Sequence, residues 1–246
     1  MFAAGKMMFA RPFGISTAAA YRAAVLADSP VAYWRLGEAS GTVAADETGT
    51  YPGTYVGSPT LGASGVFAGD SAVTFNGSSQ RATVADAVGL RITGAFTIEV
   101  WVKFSSAQVN KGICGKYDTA TANRAWVLYT ANDGSGQKIQ FTAQTSGGSF
   151  NTNAVATTAN NLDDGAWHHV VGVFNPSTIL RIYVDGVAGA NASIIPASIF
   201  ASTATLEIAA YNQAKNYFNG SIDEVAIYPT ALSATRIAAH YAAAGY

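Results

Sequence analysis

The sequence predicts an all-β chain folded as two packed antiparallel sheets, with a helix near each end. Three observations carry that prediction. Short runs rich in β-branched and aromatic residues recur between turns containing Gly, Asn, Asp and Pro from residue 31 to residue 228, which is the rhythm of a sandwich. No long helical pattern separates these runs, so an alternating strand–helix architecture is excluded. The third is a pair of strong strand signals. Asp163 to Phe174 opens on an Asp164-Gly165 turn, breaks at Asn175-Pro176-Ser177, and resumes from Leu180 to the Asp185-Gly186 turn. Such a pair reads as a long antiparallel hairpin. In its first run Trp167, His169, Val171 and Val173 share one face, and His168, Val170, Gly172 and Phe174 the other. Both faces are mostly apolar, which places this strand inside a sheet covered on both sides.

The elements follow in order. Residues 1–15 form an apolar arm without a period, and Phe2, Met7, Met8, Phe9 and Phe13 are its candidate docking residues toward another chain. Ser16 supplies an N-cap for an alanine-rich helix over 17–27, and Asp28-Ser29-Pro30 stops it. Residues 1–27 thus read as a docking arm with a connecting helix, and residues 28–246 as the sandwich. Val31–Leu36 reads as the first strand, and the turn-rich stretch 37–69 holds only short pieces such as Thr54-Tyr55-Val56. Ala72–Phe75 and Gln80–Val84 flank Asn76-Gly77, a hairpin signal. From Phe96 to Phe104 alternation is clean: Phe96, Ile98, Val100, Val102 and Phe104 point to the core, and Thr97, Glu99, Trp101 and Lys103 to a partly wet outer face. Strands are further expected at 112–116, 125–130, 138–144, 205–209 and 221–228, then a short helix from Ser233 to Ala244 ended by Gly245.

Composition narrows the function. Charged residues are 12% and hydrophobic residues 49%, and 14 Lys+Arg against 15 Asp+Glu leave a net charge of −1. No basic face stands out for phosphate neutralisation, so a nucleic-acid partner is not expected. Cys114 is the only cysteine; it cannot staple the fold and reads as a small buried hydrophobe. Lys6, Arg11 and Pro12 split the apolar N-terminus into pieces too short for a secretory signal, and no window is long enough to span a membrane. The expectation is synthesis in the cytoplasm and release by a route other than ordinary secretion.

Asp-Gly followed by Trp167-His168-His169-Val170, then Ile182-Tyr183-Val184-Asp185-Gly186, resembles the laminin-G-like branch of the concanavalin-A-like lectin/glucanase superfamily. Phe96–Lys103 upstream, and Phe218–Tyr228 with Ala231-Leu232-Ser233 downstream, extend the likeness in the family's order over roughly residues 28–241. The resemblance implies a jelly-roll sandwich. It implies less about activity, because this fold hosts lectins, enzymes and adhesion modules.

The carboxylates and histidines are the residues best suited to chemistry. Neighbours on a strand point apart, so His168 and His169 cannot jointly hold an ion, and with His240 they read as structural, one ring bonding a loop carbonyl. Glycoside hydrolysis needs two carboxyl groups about 5–10 Å apart across one sugar bond. The strand matching the family's catalytic strand offers only Glu99, and Asp223 and Glu224, being adjacent, should face oppositely. No nucleophilic Ser motif or phosphate-cradling loop is present, so the chain reads as non-enzymatic. The resemblance implies a rim calcium ion (Ca2+) in many relatives, for which Asp46 and Asp223 are the candidate ligands; the competing reading has Asp46 capping its own loop. It also implies glycan binding by an aromatic platform on loops. The exposed turn bearing Tyr211, Asn212, Asn216 and Tyr217 is the main candidate, while Trp101 and Trp126 read more readily as sheet-packing residues.

Residues 21–38, from Tyr21-Arg22-Ala23 through Tyr33-Trp34-Arg35-Leu36-Gly37-Glu38, resemble the start of laminin-G-like modules in minor tail proteins of tailed bacteriophages. That likeness implies a virion protein, either a minor tail or a surface decoration protein. It would be assembled in the host cytoplasm, docked through its arm on other phage structural proteins, associated as a homo-oligomer, and would face outward toward host glycans. The alternative is a secreted or wall-attached bacterial carbohydrate-binding module.

Overall fold

The structure is a computed structural model and describes residues 16–132, 136–148, 153–154 and 161–246. The arm residues Phe2, Met7, Met8, Phe9 and Phe13 lie outside the described residues. In chain order the elements are α1 (Thr17–Ala27), β1 (Ala32–Trp34), β2 (Val43–Ala44), β3 (Gly53–Val56), β4 (Thr60–Ser64), β5 (Ser71–Asn76), β6 (Arg81–Val84), β7 (Phe96–Lys103) and β8 (Gly112–Asp118). There follow β9 (Asn123–Asn132), β10 (Gln137–Ala143), β11 (Asn153–Ala154), β12 (Trp167–Asn175), β13 (Ile179–Val184), β14 (Val187–Ala188), β15 (Leu206–Ile208), β16 (Asn219–Tyr228) and α2 (Ala234–Ala243).

The strands form two antiparallel sheets. The first runs β14-β13-β12-β7-β16-β5-β4, with β1 also paired to β16; the second runs β11-β10-β9-β8-β15-β6-β3-β2. This is the expected two-sheet sandwich, consistent with a jelly roll, and a short helix lies near each end. Its main core is the interface of the sheets. Phe96, Ile98, Val100 and Val102 of β7 and Val170 and Phe174 of β12 meet Trp126, Leu128, Ile139 and Phe141 of β9 and β10. Fully burying a side chain of this size contributes about 1.5–3 kcal/mol.

Local chemistry explains most of the ends. Ser16 Oγ accepts from the Ala19 N–H at 3.2 Å and Ser233 Oγ from the Arg236 N–H at 3.3 Å, so both helices start on the caps read from the sequence. Asp185 (φ 51°) and Gly186 (φ 75°) are both left-handed between the paired Val184 and Val187, the geometry of a tight hairpin turn. Strand β12 lies between β13 and β7, and both of its faces are covered, as its two apolar stripes require.

Two expectations are corrected. Asn76-Gly77 does not join a hairpin: β5 belongs to the first sheet and β6 to the second. Asn76 Oδ1 accepts from the Ser78 and Ser79 N–H groups at 3.0 Å each, and the turn carries the chain from one sheet to the other. The outer face of β7 is also covered over most of its length, with only Lys103 at its end left partly exposed. Thr97, Glu99 and Trp101 are all fully buried, because α1 and α2 lie across this face of the first sheet. Tyr21 and Val25 of α1 and Ile237 of α2 pack there with Tyr33, Phe67, Trp101, Val171, Val173 and Tyr228. Helix 17–27, expected to connect arm and sandwich, is itself part of this second core.

Candidate functional site

Among the described residues both α-helices pack on the first sheet, and neither lies on the outer face of the second. Trp126 and Leu128 of β9 point into the core, so Val127 and Tyr129, alternating with them, point away from it. The register pairs Tyr129 with Gln140 and Val127 with Thr142, and bulges in the β8–β9 pairing bring Tyr117 beside them. Together Asn110, Tyr117, Val127, Tyr129, Thr142 and Tyr211 line a pocket of about 150 Å³. The Tyr211 ring lies 5.6 Å from that of Tyr117, nearly perpendicular at 82°, and 6.0 Å from that of Tyr129. Tyr129 donates to Gln140 Oε1 at 2.5 Å and accepts from Thr142 Oγ1 at 3.4 Å. The Arg124 guanidinium sits 5.9 Å from the centre of the Tyr117 ring, within cation–π range. Burial pushes all three phenols up, Tyr211 to about 12, so each stays a neutral donor at physiological pH.

The loop that delivers Tyr211 is rigidly built. Asn212, Gln213, Ala214 and Asn216 all have positive φ, between 51° and 68°. Glu207 compensates for this backbone by accepting from the Gln213 and Ala214 N–H groups at 3.0 and 2.9 Å. Burial raises the Glu207 pKa, and these two bonds and Arg81 oppose the rise. The four loop candidates therefore separate. Tyr211 reaches the pocket. Asn212 ties the loop down, its Oδ1 accepting from the Thr119 N–H and Oγ1 at 2.8 and 2.5 Å. Asn216 anchors the start of β8, its carbonyl accepting from the Gly112 N–H at 2.8 Å. Tyr217 accepts from Arg81 at 3.3 Å. Tyr117 and Tyr129 were not singled out from the sequence, although alternation along β9 gives the face of Tyr129. Trp101 and Trp126 are core residues.

The carboxylates Glu99, Asp223 and Glu224 are all buried. Glu99 is fully buried under the helices. Its Oε1 accepts from Tyr21 at 2.9 Å and lies 2.7 Å from His169 Nε2, and its Oε2 accepts from Tyr228 at 2.6 Å and lies 3.0 Å from His240 Nδ1. Burial alone would raise its pKa, but His240 and His169 hold it well below the usual carboxylate range. The histidines thus bond carboxylates, not the expected loop carbonyl: His168 likewise sits between Asp185 at 2.8 Å and Asp164 at 3.2 Å. Asp223 and Glu224 do not simply face apart either. A bulge follows Asp223, and Glu224 takes φ 52°. Both are fully buried, Asp223 accepting from the Val66 N–H at 2.9 Å and Glu224 bonded to Tyr33 and Arg35. Burial and their mutual repulsion push the Asp223 carboxyl well up; burial lifts Glu224 to about 7 despite Arg35.

Asp46, the other candidate calcium ligand, is occupied by its own surroundings. Its carboxylate accepts from the N–H groups of Tyr33, Thr48, Thr50 and Tyr51 and from Thr48 Oγ1, at 2.6–3.1 Å. Burial would raise its pKa, and these bonds hold it below the ordinary value. Asp46 therefore caps its loop. Among the described residues no group of three or more His, Cys, Asp or Glu side chains is placed to hold a metal ion, and no helix is long and apolar enough to cross a membrane.

Known proteins share this architecture. Domain 4 of AbnA, an extracellular arabinanase of Geobacillus stearothermophilus solved with arabinotriose, superposes with a TM-score of 0.61 at 18% identity, covering 86% of this chain and 98% of that one. The binding domain of Paraclostridial Mosquitocidal Protein 1 gives 0.67 at 14% identity, covering 88% of this chain and 52% of that one. The binding domain of botulinum neurotoxin DC, solved with SialylT, gives 0.64 at 17%, with 89% and 52% covered. The chain thus spans about half the length of the two toxin domains. No curated protein matches it in sequence. Residues 76–238, well over half the chain, match the family described as the Concanavalin A-like lectin/glucanases superfamily, and the chain belongs to that superfamily.

Proposed function

We propose that this chain is a non-enzymatic glycan-adhesion module, with its sugar subsite in the tyrosine-lined pocket on the open face of the second sheet. The observation that carries this reading is the convergence of Tyr117, Tyr129 and Tyr211 on one pocket of about 150 Å³. Aromatic walls accept the apolar faces of sugar rings, and phenol, amide and hydroxyl groups supply directional bonds. Neighbours of the same fold solved with arabinotriose and SialylT support it. The test is a glycan array on the full chain, followed by titration of the best ligand into Tyr129→Ala and Tyr211→Ala. Binding should fall at least about tenfold in each, the scale of losing one well-packed aromatic contact. No binding above background by the intact chain rejects the reading.

We further propose that the module is displayed on a bacteriophage particle, as a minor tail or surface decoration protein. The resemblance of residues 21–38 to phage tail modules supports this, with residues 1–15 as the contact to other particle proteins and association of copies into a homo-oligomer. Mass spectrometry of purified particles decides it: absence of the chain refutes the assignment. A secreted or wall-attached binding module is the second reading, favoured by the match over 98% of a domain from an extracellular enzyme. It predicts the chain in the culture medium or cell wall of uninfected cells.

A further inference from the structure

A cleft of about 260 Å³ lies at the uncovered end of the first sheet's outer face, lined by Thr74, Lys103, Phe104, Ser105, Ser106 and Ser221 among others. Its back wall is one row of the sheet: Thr74 pairs with Ser221, and Ser221 with Lys103. The Thr74 and Ser221 hydroxyls bond each other at 2.7 Å, fixing both oxygens toward the cleft side of the sheet. Ser105 and Ser106 stand exposed on its rim and Phe104 is buried behind them. Among the described residues no acidic side chain lines the cleft. Lys103 is its cation, half-buried and without an ion-pair partner among the described residues. Arg22, Arg35, Arg81, Arg91, Lys116 and Arg236 are each held by a carboxylate, while Lys111, Arg181 and Lys215, outside this cleft, share with Lys103 the lack of an ion pair among the described residues.

We propose that this cleft is a second sugar subsite, one that takes a carboxylate-bearing monosaccharide unit with its carboxylate on Lys103. A lone ammonium is a point charge that balances a monoanion such as a carboxylate, and leaves the second charge of a phosphate dianion without a partner. The surrounding hydroxyls complement a polyol, since each both donates and accepts. The volume lies just below the roughly 300–1,000 Å³ of sites for drug-sized ligands, which suits a single sugar unit. This inference rests on the adhesion reading and names the sugar class of a separate site.

The experiment is ligand-detected NMR and calorimetric titration of the full chain with N-acetylneuraminic acid, glucuronic acid, glucose and inorganic phosphate. The intact chain, Lys103→Gln, Lys103→Arg and Tyr129→Ala are compared, with thermal melts showing that each is folded. An acidic sugar should bind in preference to glucose. Lys103→Gln should weaken it by about tenfold, the scale of one charge-assisted bond, while Lys103→Arg retains most of the binding. Equal binding by Lys103→Gln overturns the proposal, as does phosphate that competes as strongly as the acidic sugars, or loss in Tyr129→Ala alone. Neutral glycans bound at the tyrosines, with no acidic sugar bound anywhere, overturn this inference and leave the adhesion reading standing.

Discussion

Replacing Glu99 by Gln probes the polar network that joins the helix layer to the first sheet. The carboxylate accepts two tyrosine hydroxyls and contacts two imidazoles. An amide of the same shape has one acceptor oxygen and turns an NH2 toward groups that are themselves donors. Bonds to an ionised acceptor contribute about 1.5–3 kcal/mol each, and removing one member of a buried ion pair costs about 3–5 kcal/mol. Both routes put the loss at about 3–5 kcal/mol, which lowers the melting midpoint of a chain this long by roughly 6–20 °C. The pH dependence identifies the cause. Burial would raise the Glu99 pKa, but His240 and His169 depress it. Its contribution is therefore present above the unfolded value of about 4.3 and lost as pH falls through the folded one. Burial would lower the His240 pKa, but Glu99 outweighs burial and raises it. Its contribution is complete below about 6.5 and lost as pH rises through the folded value. Calorimetric melts of both proteins at about pH 5.5 and about pH 8 should show the larger gap at the lower pH. A gap under about 1 kcal/mol at pH 5.5, less than one ordinary hydrogen bond, or an equal gap at both pH values, would refute the reasoning.

Two other substitutions test different parts of the fold. Asp223 has its pKa raised by burial and by Glu224, so its ionisation weakens the fold as pH climbs above its unfolded value of about 3.9. Asp223→Asn should raise stability in urea at about pH 8 and change it little near pH 4; a loss at pH 8 would show that the charge is compensated. Gly172 lies on β12 where an added Cβ would meet Ile98 Cγ2 and the Phe141 ring at 3.0 Å. Gly172→Ala should therefore cost about 1–3 kcal/mol by overpacking the intersheet core, and a neutral denaturation midpoint would show that the ring gives way freely.

How much of this was legible follows from what periodicity reports. Alternation from Phe96 to Phe104 assigned the inward residues correctly, and cap and turn chemistry located Ser16, Ser233 and Asp185-Gly186. Alternation cannot tell water from buried polar partners, so Glu99 read as wet although four side chains surround it. Helix α1 carries only Tyr21 and Val25 as fully buried residues; an alanine-rich helix with so narrow an apolar stripe looks like a connector. The crossing at Asn76-Gly77 was hidden because the same Asn turn serves a hairpin or a change of sheet. Of the candidate site, Tyr211 was visible as an aromatic on a turn. Tyr117 and Tyr129 join it only through the register and bulges of β8 and β9, which are long-range facts.

The two helices lie side by side on the sandwich's back, and a clasp joins them: Arg236 of α2 donates to Asp28, the residue capping the end of α1, at 2.8 Å, and His240 lies 3.1 Å from the same carboxylate. A pull arriving through the residues before Ser16 or those after Ala243 would therefore load this clasp and its helices before any strand. The outer face of the second sheet, two layers away, stays outside that load path, so strain on the helices need not reach the pocket formed by Tyr117, Tyr129 and Tyr211.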